Sequence, residues 1–185
     1  MMSRNIALHG MMGAGKSTVA IMLADRLGRR VADSDAELRN WTGRSIPELF
    51  AAHGEAGFRD LERAVVEELS TFHDLVIALG GGAVLSDDNV ASLLMTGVLV
   101  ELRADPEVII ERLRGASDRP LLGTPEELER RVHETHAARA DRYAAVADLT
   151  VDANRSPERV VDDILEWALA QGDVLTPSEH EQVMR

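Results

Sequence analysis

Arg4-Asn5-Ile6-Ala7-Leu8-His9-Gly10-Met11-Met12-Gly13-Ala14-Gly15-Lys16-Ser17-Thr18 is the stretch that decides the fold. Ile6 to Leu8 is a short apolar run that predicts a buried strand, and Gly10-x-x-x-x-Gly15-Lys16-Ser17 fills every fixed position of the phosphate-binding P-loop pattern. Glycines at 10, 13 and 15 let successive backbone N–H groups curl round a phosphate without an obstructing Cβ. The helix expected to begin near Gly15 turns its positive end to the same anion. Lys16 then reaches the β- and γ-phosphates as a point charge, and the Ser17 hydroxyl is placed to ligate magnesium. The run Gly13, Ala14, Gly15, Lys16, Ser17 and Thr18 is therefore the expected ATP-binding segment. A glycine-rich turn that binds nothing is the bland alternative; strand, loop and amphipathic helix in the required order argue against it.

Beyond the loop, the chain alternates strand and helix. Val19, Met22, Leu23 and Leu27 recur on one helical face, and Gly28 stands where a C-terminal glycine ends a helix. Arg30 to Asp33 is a second strand, closing on Asp33-Ser34-Asp35. A mainly helical insert follows: Ser45-Ile46-Pro47-Glu48 has capping-box spacing, and Leu61, Val65 and Leu69 form a stripe. Further strands are read at Leu75 to Leu79, broken by Gly80-Gly81-Gly82, at Val98 to Leu102 and at Leu149 to Asp152. Helices are expected over Asn89 to Met95, from Asp105-Pro106 to Arg114, from about Glu126 to Val146, and in the segment containing Val160, Val161, Ile164, Leu165 and Ala168.

Five strands separated by helices predict an α/β fold, a parallel sheet flanked by helices on both faces. Ligands on such sheets bind at the carboxyl ends of strands, which gathers the P-loop, Asp33, Asp35 and the triple glycine at one edge. Residues 115 to 125 hold two glycines and two prolines without periodicity, and are the candidate mobile lid. One domain is expected over 1–172, with 173–185 a polar, mobile tail.

Composition excludes several classes. Lys plus Arg number 20 against 32 Asp plus Glu, and the resulting charge of −12 opposes general attraction to nucleic acid or acidic membrane. An anionic ligand must then be held by a local cationic cluster. The absence of cysteine excludes a disulfide framework and a thiolate metal site. No apolar stretch approaches 18 residues and no apolar leader precedes the first strand, so the expectation is a cytoplasmic protein; as one domain it is expected to be a monomer. His133-Glu134-Thr135-His136 lacks the spacing of His-Glu-x-x-His and is read as helix surface.

Taken together, the P-loop, Asp33-Ser34-Asp35, Phe58-Arg59-x-x-Glu62, Gly80-Gly81-Gly82, Arg119-Pro120-Leu121-Leu122 and Arg139-x-x-x-Tyr143 resemble the ordered motifs of the shikimate kinase family over residues 4 to 160. The resemblance implies a P-loop fold like that of nucleoside-monophosphate kinases, with sheet order 2-3-1-4-5 and a substrate-binding region near 34–63. It also implies transfer of the ATP γ-phosphate to the 3-hydroxyl of shikimate, with Mg2+ as cofactor. Asp33 would hold magnesium through its waters, beside Ser17. Asp35 would orient the acceptor hydroxyl and take its proton, although both aspartates also suit a helix cap and a first-turn acid. Arg59 and Arg139 would clamp the substrate carboxylate, with Glu62 holding Arg59 in place. Gly80, Gly81 and Gly82 would bring backbone close to the substrate, Arg119 would close with the lid over the phosphates, and Arg112 and Pro157 would enclose the adenine. The late motif departs from the family's Arg-x-Pro-Leu-Tyr, reading Arg139-Ala140-Asp141-Arg142-Tyr143. The rival readings are a kinase of another small polyol acid, such as aminoshikimate or gluconate, and a silent regulatory relative; the latter usually loses the lysine or the acceptor aspartate, and both are present here.

Overall fold

A computed structural model of the chain describes residues 3–114 and 124–184. Its centre is strand β1, Asn5–His9, buried along its whole length. The P-loop leads from it into α1, Lys16–Leu27, which ends on Gly28 in the left-handed conformation, as the sequence predicts. Next come β2 (Arg30–Asp33), α2 (Ser34–Thr42) and α3 (Ile46–Leu69). Both hydrogen bonds of the expected Ser45–Glu48 capping box open α3, and Gly54, at φ 67°, kinks it. Strand β3 (Leu75–Ala78) leads through a short 3-10 turn, Ala83–Leu85, to α4 (Asp87–Thr96) and β4 (Gly97–Arg103). The chain continues with α5 (Pro106–Arg114), α6 (Pro125–Val146), β5 (Leu149–Asp152), α7 (Pro157–Gln171) and α8 (Pro177–Val183).

The five strands are parallel in the order β2-β3-β1-β4-β5, the order the resemblance implies. Ile6 pairs with Val76 on one side and Val98 on the other, so the central strands need apolar side chains on both faces. That requirement explains the unbroken runs Leu75-Val76-Ile77-Ala78 and Val98-Leu99-Val100. Val19, Leu23 and Leu27 of α1 and Val160, Val161, Ile164 and Leu165 of α7 belong to the same core.

Helix α4 and the tail differ from expectation. Helix α4 starts two residues early because the Ser86 side chain accepts from Asn89 N and two aspartates occupy its first turn. Gly97 directly follows that helix and, extended at φ −145°, begins β4 one residue before the expected Val98. The tail is the larger correction. Residues expected to be mobile instead form α8, opened by a Thr176–Glu179 capping box and packed on α1. Glu179 takes a hydrogen bond of 2.7 Å from Arg29, whose guanidinium also donates to the carbonyls of Arg4 and Val174. The Arg29 side chain is 1% exposed, so this clasp lies in the interior and draws Val174 into the core. Among the described residues no helix is long and apolar enough to cross a membrane.

Candidate active site

Close approach of the loop to β4 requires the first glycine: a Cβ on Gly10 would lie 2.5 Å from the Leu102 carbonyl oxygen. Gly13 and Gly15 adopt φ 85° and 97°, completing the turn that starts α1. The Lys16 ammonium folds back over the loop, donating to the carbonyls of Gly10 (3.0 Å) and Met11 (2.9 Å). A phosphate cradled by the same loop would compete for that charge.

Ser17 and Asp33 come from different elements and meet at the sheet edge. Ser17 Oγ donates to Asp33 Oδ2 at 2.9 Å, while Asp33 Oδ1 accepts from Ala36 N at 3.0 Å and caps α2. Asp33 thus caps α2 with one oxygen, as its position after β2 allows, and keeps the other beside the Ser17 hydroxyl at the P-loop. A hydroxyl and a carboxylate oxygen side by side at the foot of the P-loop are hard donors of the kind magnesium takes, and their small number suits an ion that keeps most of its waters. The residues therefore fit Mg2+.

Beside the P-loop lies a cleft of about 370 Å³ lined by Asp35, Arg59, Gly80, Gly81, Gly82 and Arg139. Every described residue expected to touch the acceptor therefore faces one cavity. Met11, Met12, Phe50 and Phe58 supply its apolar wall, with Phe50 stacked on Phe58 at 4.1 Å. A separate hollow of about 220 Å³, under Trp41 and Phe72 at the β2 edge, contains none of the expected site residues.

At two of the three glycines a Cβ would displace a neighbouring site side chain rather than strain the backbone. A Cβ on Gly80 would stand 2.5 Å from Asp35 Oδ1, and one on Gly82 would overlap the Arg59 guanidinium. At Gly81 a Cβ would meet only ordinary contacts, Met12 N at 3.6 Å and Gly10 O at 3.7 Å. Its carbonyl is what the fold uses: Tyr143 Oη donates to it at 2.5 Å and Arg139 at 3.2 Å. The expectation that all three glycines serve close backbone approach is thus refined to room for Asp35 and Arg59 at two positions and an anchored carbonyl at the third.

Arg59 donates to Glu62 at 2.8 Å and stands 3.6 Å from Glu55. Burial pushes the Glu62 carboxyl above the usual range, against the hydrogen bond and charge of Arg59. This pair is consequently more than a surface i, i+3 contact: Glu62 is nearly inaccessible and orients Arg59 from below. Burial also raises the Tyr143 phenol, which remains a hydrogen-bond donor to Gly81.

On the other side of the P-loop, Arg112 donates to the carbonyl of Ala153 (2.7 Å) and weakly to that of Ala14 (3.4 Å). It joins the loop to the turn that precedes Pro157, the first residue of α7, so Arg112 and Pro157 share one flank. Arg119 and most of the lid segment lie outside the described residues. Of that segment, Thr124 caps α6 and Pro125 opens it.

Sequence reasoning missed two residues. Arg142 donates to the Val84 carbonyl (2.9 Å) and to Asp87 (2.6 Å), fastening α6 to the turn after the triple glycine. Its signal was the departure from the family's late motif, and α6 runs through that motif as continuous helix. His9, at the end of β1, is fully buried and tilted against Tyr143 at 5.8 Å. Among the described residues neither of its ring nitrogens has a hydrogen-bond partner. Burial, with Lys16 adding to it, lowers its pKa from 6.5 to about 4. Nothing local marks it, because its burial is produced by β4 and α6.

Comparison with known proteins agrees with the fold. The family model described as shikimate kinase matches residues 12–169. A shikimate kinase of Thiobacillus denitrificans is 45% identical over 151 residues, 82% of each chain. The structure of the Acinetobacter baumannii shikimate kinase in complex with shikimate superimposes with a TM-score of 0.84 at 37% identity, covering 91% of this chain and 94% of that one. The Bacteroides thetaiotaomicron shikimate kinase gives 0.85 at 34% identity, covering 90% and 98%. The chain belongs to the shikimate kinase family.

Proposed function

We propose that the chain transfers the γ-phosphoryl group of ATP to the 3-hydroxyl of shikimate, yielding ADP and shikimate 3-phosphate. The single observation that carries this reading is the meeting of Asp35, Arg59 and Arg139 in one cleft beside the P-loop. Arg59 and Arg139 take the acceptor carboxylate, each offering a planar fork. Asp35 accepts a hydrogen bond from the attacking hydroxyl and removes its proton as the new O–P bond forms and the bond to the ADP oxygen breaks. Backbone N–H groups of Gly13 to Thr18 hold the phosphates, and Lys16 follows the transferred group as charge moves to the leaving oxygen. Ser17 directly, and Asp33 through water, would hold Mg2+, which neutralises phosphate charge when bound. Arg112 and Pro157 flank the adenine, and Arg119 supplies a further cation to the γ-phosphate. Action as a monomer in the cytoplasm is part of the same proposal.

ADP release with shikimate, aminoshikimate, gluconate or no acceptor tests the reading. Release should depend on shikimate and fall far below wild type in a folded Lys16→Ala variant. Release only with gluconate, or equally without acceptor, would overturn it.

A further inference from the structure

Three described arginines line the acceptor cleft, and two of them are engaged: Arg59 with Glu62, and Arg139 with the Gly81 carbonyl. The third, Arg131, has neither an ion pair nor a hydrogen bond among the described residues. The acids at helical spacing from it are already occupied. Glu127 closes the capping box of α6, and Glu134 pairs with Arg130 at 3.3 Å. In a chain with 32 acidic residues against 20 basic ones, an unpaired arginine facing a cleft is not expected from composition.

Its charge changes the balance of the site. Arg59 and Arg139 are offset by Asp35 and Glu62, so Arg131 alone makes the described lining net positive. It precedes Arg139 by eight positions, about 12 Å along the helix axis, with Thr135 between them on the same wall. Arg131 is solvent-exposed whereas Arg139 is half-buried, so the stripe leads from solvent towards the proposed carboxylate clamp.

Resting on the proposed function, we infer that Arg131 is a recognition residue at the entrance of the acceptor site: it draws an anionic acceptor into the cleft and is not part of the phosphoryl-transfer step. A single cation at the mouth of a low-dielectric cleft raises the local concentration of a small anion, and the effect fades as salt shortens the screening length from about 30 Å at 0.01 M to about 3 Å at 1 M.

The test is kcat/KM for shikimate at saturating ATP, measured from about 10 mM to 1 M salt, in wild type, Arg131→Gln, Arg131→Glu and Arg131→Lys. At low salt Arg131→Gln should lose about 3- to 10-fold and Arg131→Glu more, the loss residing in KM. Arg131→Lys should stay near wild type, because charge rather than the planar fork is what acts. All four should converge at high salt, and the uncharged methyl ester of shikimate should show no difference among them. Unchanged kcat/KM in Arg131→Glu at low salt would overturn the inference, as would a loss that persists at high salt or appears equally with the ester. A wild type inactive on shikimate would overturn the functional reading and this inference together; an active wild type with indifferent variants would overturn this inference alone.

Discussion

His9 gives the fold an acid weakness that can be measured. Its imidazole is fully buried without a hydrogen-bond partner among the described residues, and its pKa is lowered from 6.5 to about 4. Between those values the unfolded chain binds the proton and the folded chain does not. The group's contribution to stability is therefore complete above pH 6.5 and is lost as pH falls towards 4. The full loss is about 3 kcal/mol, and the part between pH 7 and pH 5 is about 2 kcal/mol. The groups around the ring do not oppose this. Lys16 adds to the depression, Tyr143 is uncharged, and Glu101, its register partner on β4, is already hydrogen-bonded to Arg103 and Thr150. His9→Leu removes the titration while keeping an apolar volume in the site. At pH 7 its stability should lie within about 1 kcal/mol of wild type, since no hydrogen bond is lost. Urea unfolding at pH 7 and pH 5 then isolates the effect, because every other titrating group is common to both proteins. Wild type should lose about 2 kcal/mol more than the variant over that interval. Parallel losses would mean that His9 does not titrate as its burial requires.

Three further outcomes are expected. Asp35→Asn should lower turnover with ATP binding preserved, whereas Asp33→Asn should raise the magnesium requirement; magnesium rescue of the Asp35 variant instead would show the roles exchanged. Arg59→Lys or Arg139→Lys should raise the shikimate Michaelis constant about 10-fold or more, with little change for ATP, and should narrow discrimination against the methyl ester. Equal losses for acid and ester would remove the clamp. Glu179→Gln should destabilise the protein by about 2 to 4 kcal/mol by leaving the buried Arg29 without its carboxylate; an unchanged melting temperature would show that α8 is not fastened in this way.

Much of the site was legible in the sequence because its chemistry is carried by contiguous residues. The P-loop motif states both its torsions and its donors within a few positions, and the capping box at Ser45 and the glycine after α1 are equally local. The motifs' order carries the family resemblance, and the strand-end rule alone puts Asp33, Asp35 and the triple glycine at one sheet edge. What remained hidden was decided by partners far apart in the chain. At Gly80 and Gly82 the missing Cβ leaves room for Asp35 and Arg59, which occupy the space where it would project. Arg142 and Tyr143 matter because α6 returns to the turn after β3, and His9 is unusual only because α6 closes over it. The tail looked mobile because seven helical residues show no apolar stripe, and its anchor, Arg29, lies 150 positions upstream. Local spacing determines torsion, capping and periodicity, whereas burial, charge pairing and excluded volume depend on which distant elements the fold brings together.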